Sequence, residues 1–229
     1  MIAGKLKSGL RYGENPHQAG GLYTTKTSKN LIDSINQIQG KDMSYNNFND
    51  VNASIELLSD FVSEGKTTAV IVKHGSPSGV AIRKTPLEAY KAAYEADPKS
   101  AFGGVVALSD PIDKETALEI EGVFTEVVIA PEIYLEAREI FSTKKNLRIL
   151  EFEKNLLDSD NIYKHHQVIG GFLLQDRDTK LTGPAELRIV SKRQPSVKEV
   201  RDMMFAWKLS KHVKSNAIIL VKDLVTLGI

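Results

Sequence analysis

The sequence predicts a layered α/β fold, and three observations lead to that prediction. Short runs of β-branched residues alternate with segments whose apolar residues recur at helical spacing, which is typical of layered α/β proteins. Two capping boxes mark helix starts, Thr85-Pro86-Leu87-Glu88 and Ser196-Val197-Lys198-Glu199. The 229 residues, 41% of them hydrophobic, are enough to bury a sizeable core.

The first half of the chain predicts loops followed by alternating helices and strands. Residues 1–50 are rich in Gly, Asn and Ser, and their polar blocks at 11–18 and 40–50 are expected to form ordered loops. Asp50 is expected to cap a helix, because apolar residues follow it at helical spacing. A buried strand is expected at 69–72, then a tight turn through Gly79. Further strands are expected at 105–108, 127–130 and 147–152, and helices from Pro86, at 114–121 and at 132–141.

The last third predicts fewer elements, and we see no internal repeat. Residues 153–165 are expected to form a polar connection, followed by a strand at 168–174. The second capping box opens a long helix that is expected to end near Lys214, ahead of a last strand at 217–221.

Composition favours a small-molecule ligand over a nucleic acid or a membrane. The net charge of +1 provides no broad cationic field for either surface. The absence of cysteine excludes disulfides, thiolate zinc sites and thiol nucleophiles. No signal-peptide core or membrane-length apolar run is present, so a cytoplasmic location is expected.

The pair Lys73-His74 is the strongest candidate for chemistry. It follows a buried strand, and open α/β sheets present ligand sites beyond the carboxyl ends of strands. Histidine can move a proton near neutral pH, and a neighbouring ammonium can stabilise an oxyanion, which suits acyl transfer. The alternative is a solvated pair in a turn.

Three further segments could bind a ligand, each with a plain structural alternative. Arg11 offers a planar fork to a phosphate or carboxylate from a Gly- and Pro-containing loop, and otherwise is solvated. The pair Gly103-Gly104 permits close approach of a ligand, or forms a turn. Asn216 could bond a flat heterocycle, or cap the long helix. We expect His165-His166 to be a solvated pair and His212 to lie on a helix surface.

These segments together resemble one family, the AICAR transformylase domain of the bifunctional transformylase and inosine monophosphate cyclohydrolase. The blocks that carry the resemblance occur in the same order along the chain: Leu10-Arg11-Tyr12-Gly13-Glu14-Asn15-Pro16-His17-Gln18, Gly40-Lys41, Ser44-Tyr45-Asn46-Asn47, Val72-Lys73-His74, Ser100-Ala101-Phe102-Gly103-Gly104, Glu126-Val127-Val128-Ile129-Ala130-Pro131, Phe205-Ala206-Trp207-Lys208 and Lys214-Ser215-Asn216-Ala217.

The resemblance implies a fold of cytidine-deaminase-like α/β units. Residues 1–152 would form the first transformylase subdomain with its substrate-binding loops, and residues 153–229 would begin the second. No zinc or other metal is expected, since the deaminase His-x-Glu and Pro-Cys-x-x-Cys pattern is absent. Relatives pair as dimers, so a homodimer is expected.

The resemblance also implies a reaction, the transfer of a formyl group from 10-formyltetrahydrofolate to the amine of AICAR, in purine biosynthesis. His74 would act as general base, Lys73 would tune His74 and stabilise the oxyanion, and Asn216 would orient His74 or the substrate. Arg11 would hold the phosphate of AICAR. The pocket would be completed by Tyr12, Phe102, Gly103 and Glu126.

Two departures from the family pattern qualify that expectation. The turn after His74 reads Gly75-Ser76-Pro77-Ser78, where many relatives have Asn-Pro-Cys. The family continues beyond Ile229 into a folate-contacting stretch and has a cyclohydrolase domain ahead of Leu10, so a truncated chain without cyclohydrolase activity is expected. The alternatives are a purine-ribonucleotide-binding remnant, one subunit of a split enzyme, and a zinc deaminase of similar fold.

Overall fold

The computed structural model describes residues 4–25, 31–62, 65–158, 163–180 and 182–229. The helices in these ranges are α1 (Leu31–Ser34), α2 (Tyr45–Phe61), α3 (Pro86–Ala96), α4 (Pro98–Ala101), α5 (Lys114–Glu121), α6 (Leu135–Phe141) and α7 (Val197–Ser210). The strands are β1 (Lys5–Leu10), β2 (Gly20–Thr24), β3 (Ile35–Gln39), β4 (Thr67–Lys73), β5 (Ser76–Arg83), β6 (Val105–Leu108), β7 (Val127–Ala130), β8 (Arg148–Phe152), β9 (Tyr163–Val168), β10 (Gly171–Asp176), β11 (Leu220–Lys222) and β12 (Val225–Gly228).

One mixed sheet organises the molecule, with eight strands in the order β11-β12-β5-β4-β6-β7-β8-β3. Strands β6, β7 and β8 are parallel, whereas β4 runs antiparallel to β6. Strands β4 and β5 form an antiparallel hairpin, and so do β11 and β12. The carboxyl end of β4 therefore meets the amino ends of β6, β7 and β8 at one edge of the sheet.

Helices cover both faces of this sheet, because successive strand residues point to opposite sides. Along β4, Ala69 and Ile71 pack into one apolar cluster, which also contains residues of α3, α5 and α6. Val70 and Val72 pack into the other, with residues of α2 and α7. This three-layer arrangement confirms the predicted α/β class. The finer description as cytidine-deaminase-like units stays a prediction.

Several elements form where the sequence predicts them. Strands β6 and β7 and helix α5 have the predicted bounds. Thr85 accepts a hydrogen bond from the Glu88 backbone N–H and caps α3, with Pro86 in the first turn. The capping box between Ser196 and Glu199 opens α7 as expected.

Five expectations were wrong. The polar block at 40–50 is a loop only up to Ser44. Helix α2 begins at Tyr45 with Ser44 as its cap, so Asp50 lies inside the helix and does not cap it. The segment after His74 is not an extended turn, because β5 begins at Ser76. The strand expected at 168–174 is interrupted by a hairpin turn, because Val168 ends β9 and residues 171–174 belong to β10, both of them exposed. In place of a strand at 217–221, the chain forms the hairpin of β11 and β12.

The last segment of the chain contributes to the same sheet as the first. Strand β12 pairs with β5 through Val225 and Ala81, and Leu209 of α7 is fully buried against the sheet. The division into residues 1–152 and 153–229 stays a prediction. In the described ranges, no helix has both the length and the apolar composition needed to cross a membrane.

Candidate active site

The Lys73-His74 pair lies at the tip of the hairpin formed by β4 and β5. Lys73 pairs with Ser76, so His74 and Gly75 alone form the turn. Their φ angles are 54° and 69°, as a two-residue turn of this kind requires. Glycine adopts this left-handed backbone freely, whereas a non-glycine residue adopts it at a cost of about 1–2 kcal/mol. His74 is exposed, so its imidazole is open to solvent at the edge of the sheet.

Asp50 of α2 lies directly behind this turn. Its Oδ1 accepts a hydrogen bond of 2.6 Å from the Gly75 backbone N–H. Burial raises the pKa of the Asp50 carboxyl, and the nearby charge of Glu126 acts in the same direction. The backbone N–H groups of Gly75 and His74 and the charge of His74 lower that pKa but do not outweigh burial. The Asp50 carboxylate thus links helix α2 to the turn formed by His74 and Gly75.

Lys73 reaches the loop that precedes β6. Its Nζ donates a hydrogen bond of 2.6 Å to the Phe102 carbonyl oxygen. Gly103 follows with φ 74° and donates its N–H to the Phe124 carbonyl at 2.8 Å. A Cβ on Gly103 would lie 3.2 Å from the Phe124 ring, so glycine suits both the backbone and the space here. The ring of Phe102 is 56% exposed and open to contact with a ligand.

Glu126 comes immediately before β7 and joins three segments. Its carboxylate accepts a hydrogen bond of 2.8 Å from the side-chain amide of Asn47. The guanidinium of Arg148, at the start of β8, lies 3.7 Å from the same carboxylate oxygen. Arg148 also donates to the Asp42 carbonyl, which holds its guanidinium beside Glu126.

The loop that contains Arg11 and Tyr12 lies against the start of α2. It is closed by its own hydrogen bonds, including Gly13 N–H to the Gln18 carbonyl, and its Glu14 carbonyl accepts from Asn46 at 3.3 Å. Arg11 donates to the Tyr12 hydroxyl at 2.9 Å and stacks over that ring at 4.8 Å. In the part of the chain that the structure describes, no carboxylate pairs with Arg11, so its guanidinium can accept an anionic ligand.

No described contact joins Asn216 to another predicted site residue. It is exposed, and its Oδ1 accepts a hydrogen bond of 2.9 Å from the Ser215 hydroxyl. The alternative that Asn216 caps the long helix is wrong, because α7 ends at Ser210 with Lys211 as its cap. The nearby Lys214 does approach the turn, since it lines a cavity of about 200 Å³ together with Gly75.

The structure therefore gathers Lys73, His74, Phe102, Gly103 and Glu126 at one edge of the sheet, a group that we call the turn site. Arg11 and Tyr12 lie on a loop anchored beside it. The turn site is beyond the carboxyl end of β4, as expected, but it is at the amino ends of the parallel strands β6, β7 and β8. The rule that ligand sites lie beyond the carboxyl ends of strands, which led to Lys73-His74, thus holds for β4. It is reversed for β6, β7 and β8.

Sequence reasoning missed three residues that hold the turn site, Asp50, Asn47 and Arg148. The sequence pattern predicts a helix cap at Asp50 and an ordinary strand residue at Arg148. Asn47 belongs to a family-like block, Ser44-Tyr45-Asn46-Asn47, from which the sequence predicts no particular role for it. Their spacing along the chain gives no signal, because each contact joins segments at least 22 residues apart.

The remaining histidines lie outside the turn site. His165 and His166 are exposed on β9, which agrees with a solvated pair. His212 is not on a helix surface: it follows the end of α7, and its Nε2 lies 2.7 Å from the Asp60 carboxylate. Within the described ranges, no three His, Asp or Glu side chains gather in a way that could hold a metal ion.

Comparison with known proteins places this arrangement in a family. The family model described as AICARFT/IMPCHase bienzyme matches residues 1–229. The bifunctional purine biosynthesis protein PurH is 48% identical over 228 residues in Roseobacter denitrificans and 48% identical over 229 residues in Rhodospirillum rubrum. In both comparisons all of this chain aligns with 43% of the relative, so the chain spans less than half the length of these curated relatives. The chain belongs to the AICARFT/IMPCHase bienzyme family.

Proposed function

We propose that this chain carries the site that transfers a formyl group from 10-formyltetrahydrofolate to the 5-amino group of AICAR, in purine biosynthesis. The observation that carries the proposal is the turn site itself. An ammonium and an imidazole on adjacent residues of a fixed hairpin turn lie at the same edge as a glycine-containing loop and a carboxylate. This combination supports acyl transfer between two small molecules.

In the proposed reaction, the amine nitrogen of AICAR bonds to the formyl carbon while His74 takes a proton from that nitrogen. The tetrahedral intermediate then collapses, the bond from the formyl carbon to N10 of the folate breaks, and His74 returns the proton to N10. Lys73 stabilises the oxyanion. In the folded chain its ammonium donates to the Phe102 carbonyl at 2.6 Å, which places the charge close to Gly103 and to the open edge.

The same proposal gives each remaining residue a binding role. Arg11 holds the AICAR phosphate, and Tyr12 orients the Arg11 guanidinium through its hydroxyl. The backbone of Phe102 and Gly103 and the carboxylate of Glu126 bind the heterocycle. Asn216 orients His74 or the substrate. The family resemblance further implies a homodimer that acts in the cytoplasm on these small molecules.

A second candidate is a chain that binds a purine ribonucleotide without catalysis, or one that needs a partner chain to react. One observation favours it: Asn216 is exposed and makes no described contact with Lys73 or His74. A site that lacks an orienting group holds its reactants poorly, and correct positioning can be worth roughly 7–11 kcal/mol.

The test combines a binding and a turnover measurement. Calorimetry measures binding of AICAR and of its riboside, which lacks the phosphate, to the 229-residue chain and to the protein at the full length encoded by its gene. Turnover is followed with AICAR and 10-formyltetrahydrofolate labelled in the formyl carbon. Label transfer supports the first proposal, and AICAR binding without transfer in either protein supports the second. Absence of binding in both proteins contradicts both proposals.

A matched pair of variants sharpens the binding measurement. Arg11→Ala should weaken AICAR binding and leave riboside binding unchanged, since it removes the phosphate partner. Arg188→Ala, at an exposed arginine far along the chain, should change neither. Equal loss for AICAR and riboside in Arg11→Ala would remove Arg11 from phosphate binding.

A further inference from the structure

We propose that Asp50 is the positioning residue of the turn site, and that it fixes the Lys73-His74-Gly75 backbone from the buried side of α2. The role in catalysis rests on the function proposed above. In this proposal the Asp50 side chain does not contact the reactants. It acts on the backbone of the residues that would contact them.

The turn needs such a partner because its geometry is unfavourable for one of its two residues. His74 holds a φ of 54°, a backbone conformation that glycine adopts freely and that an L-residue with a side chain, histidine included, adopts at a cost. The N–H of Gly75, the second residue of the turn, donates to the Asp50 carboxylate at 2.6 Å. This charge-assisted hydrogen bond holds the left-handed backbone in place.

Asp50 is itself held rigidly. Its neighbour Val51 is fully buried. The Asp50 backbone carbonyl accepts a hydrogen bond of 2.8 Å from the hydroxyl of Ser54, which is also fully buried. Helix α2 packs along the sheet through the apolar cluster that includes Val70 and Val72 of β4. The backbone at Asp50 is therefore held against the sheet, and the Asp50 side chain reaches the turn from this held position.

The chain offers a matched control, because it uses the same device a second time. Asp202 of α7 accepts the backbone N–H groups of Asp223 and Leu224 at 2.8 Å and 3.0 Å. These two residues form the turn between β11 and β12, with φ angles of 56° and 58°. That turn carries no residue of the turn site. Removal of Asp202 therefore measures what the loss of such a support does to a hairpin alone.

The first measurement does not depend on catalysis. Amide hydrogen exchange of Gly75, followed by NMR in the 229-residue chain, should become at least about 10-fold faster in Asp50→Ala. In Asp202→Ala the acceleration should fall on Asp223 and Leu224 instead. Unchanged exchange at Gly75 in a folded Asp50→Ala protein would overturn the proposal, whatever the protein's activity.

The second measurement is turnover of the full-length protein. Asp50→Ala should lower kcat by about 10–100-fold with little change in the KM for AICAR, since misplacement of a reacting group acts on the chemical step. Asp202→Ala should leave kcat unchanged. Asp50→Asn keeps an acceptor oxygen at the same place and should retain most of kcat, whereas Asp50→Glu keeps the charge but shifts the oxygens and should not.

The outcomes separate this proposal from the proposed function. If the unchanged protein shows no formyl transfer, the proposed function fails, and hydrogen exchange alone decides whether Asp50 positions the turn. If transfer occurs and Asp50→Ala keeps its kcat, the positioning role is overturned. Should Asp50→Ala not fold, Asp50→Asn and Asp50→Glu decide: equal kcat values in these two variants would contradict a positional role.

Discussion

The side-chain amide of Asn47 donates a hydrogen bond of 2.8 Å to the carboxylate of Glu126. The orientation of that amide is set by the helix start, because the Asn47 oxygen accepts from the N–H of Ser44 at 3.1 Å in the capping box. The nitrogen is therefore the atom left for Glu126. The cap that begins α2 also aims a donor at a predicted substrate-binding residue.

Replacement of Asn47 by aspartate should weaken AICAR binding. The change keeps the acceptor for Ser44 but places a second carboxylate against Glu126, so one hydrogen bond is lost and a repulsion is gained. A hydrogen bond to a charged group contributes about 1.5–3 kcal/mol, which corresponds to roughly a 10–100-fold change in Kd. Calorimetry checks this, with Asn52→Asp, at an exposed position of the same helix, as the control. An unchanged Kd would show that Glu126 does not bind AICAR.

Replacement of His74 by asparagine should separate catalysis from stability. Asparagine accepts a left-handed backbone more readily than histidine, so the free energy of unfolding should stay equal or rise by up to about 1 kcal/mol. Formyl transfer by the full-length protein should fall by about 10²–10⁴, the usual contribution of a positioned acid or base. Thermal unfolding and turnover are measured on the same sample.

The matched change at the other turn is Asp223→Asn, which should alter neither turnover nor the left-handed backbone. Near-normal turnover in His74→Asn would remove His74 from the chemistry and leave Lys73 as the reactive side chain of the pair.

The ion pairs of Asp60 should make part of the stability depend on pH. Burial alone would raise the pKa of the Asp60 carboxyl, but hydrogen bonds from His212 and Lys211 outweigh burial and lower that pKa below its ordinary value of 3.8. A lowered pKa in the folded state stabilises the protein above the ordinary value, and this contribution is lost as the pH falls through the lower, folded-state pKa. Asp60→Asn should therefore destabilise the protein by about 1.5–3 kcal/mol at about pH 5, and by much less near pH 2.

Urea unfolding of the two proteins at both pH values checks this expectation. Glu56→Gln, at another position of α2, serves as the control, because it removes a single ion pair, the one with Lys164 of β9. A difference between Asp60→Asn and the unchanged protein that is constant with pH would contradict the assignment of the effect to the Asp60 carboxylate.

Replacement of Phe141 by alanine should test the layer formed by α3, α5 and α6. The Phe141 side chain is fully buried in the cluster on that face, so its removal should cost about 3–5 kcal/mol of the free energy of unfolding. Leu135→Ala, at a position of the same helix that is 70% exposed, should cost little. Urea unfolding measures both. Similar losses for the two variants would show that α6 is not packed as described.

The fold was predictable where local patterns agree with burial. Strands β6 and β7 are short runs of apolar residues, and each is followed by a loop and then a capped or well-patterned helix, so their bounds could be predicted. Strand β5 could not, because Ser76, Pro77 and Gly79 are poor strand formers. The hairpin accommodates them through a register shift: Ile71 pairs with Gly79 and Val72 with Pro77, which leaves Ser78 as an extra residue.

The candidate site was predictable in part. Lys73 and His74 are adjacent in sequence and follow a buried strand, so local reasoning and family resemblance led to the same pair. The residues that support the turn site come from α2 and from the start of β8. Tertiary contacts alone bring Asp50 to the turn, and Asn47 and Arg148 to Glu126, and a single sequence does not encode those contacts in a local pattern.

The two hairpin supports also bear on how such a site can change over generations. A carboxylate that bonds only backbone N–H groups places no demand on the side chains at the tip, and the tips in this chain differ: His74 and Gly75 at one, Asp223 and Leu224 at the other. Mutation can therefore exchange the reactive group at a tip without dismantling the strands that carry it. Substitutions at the tip of such a hairpin can change its reactive side chain with little effect on folding.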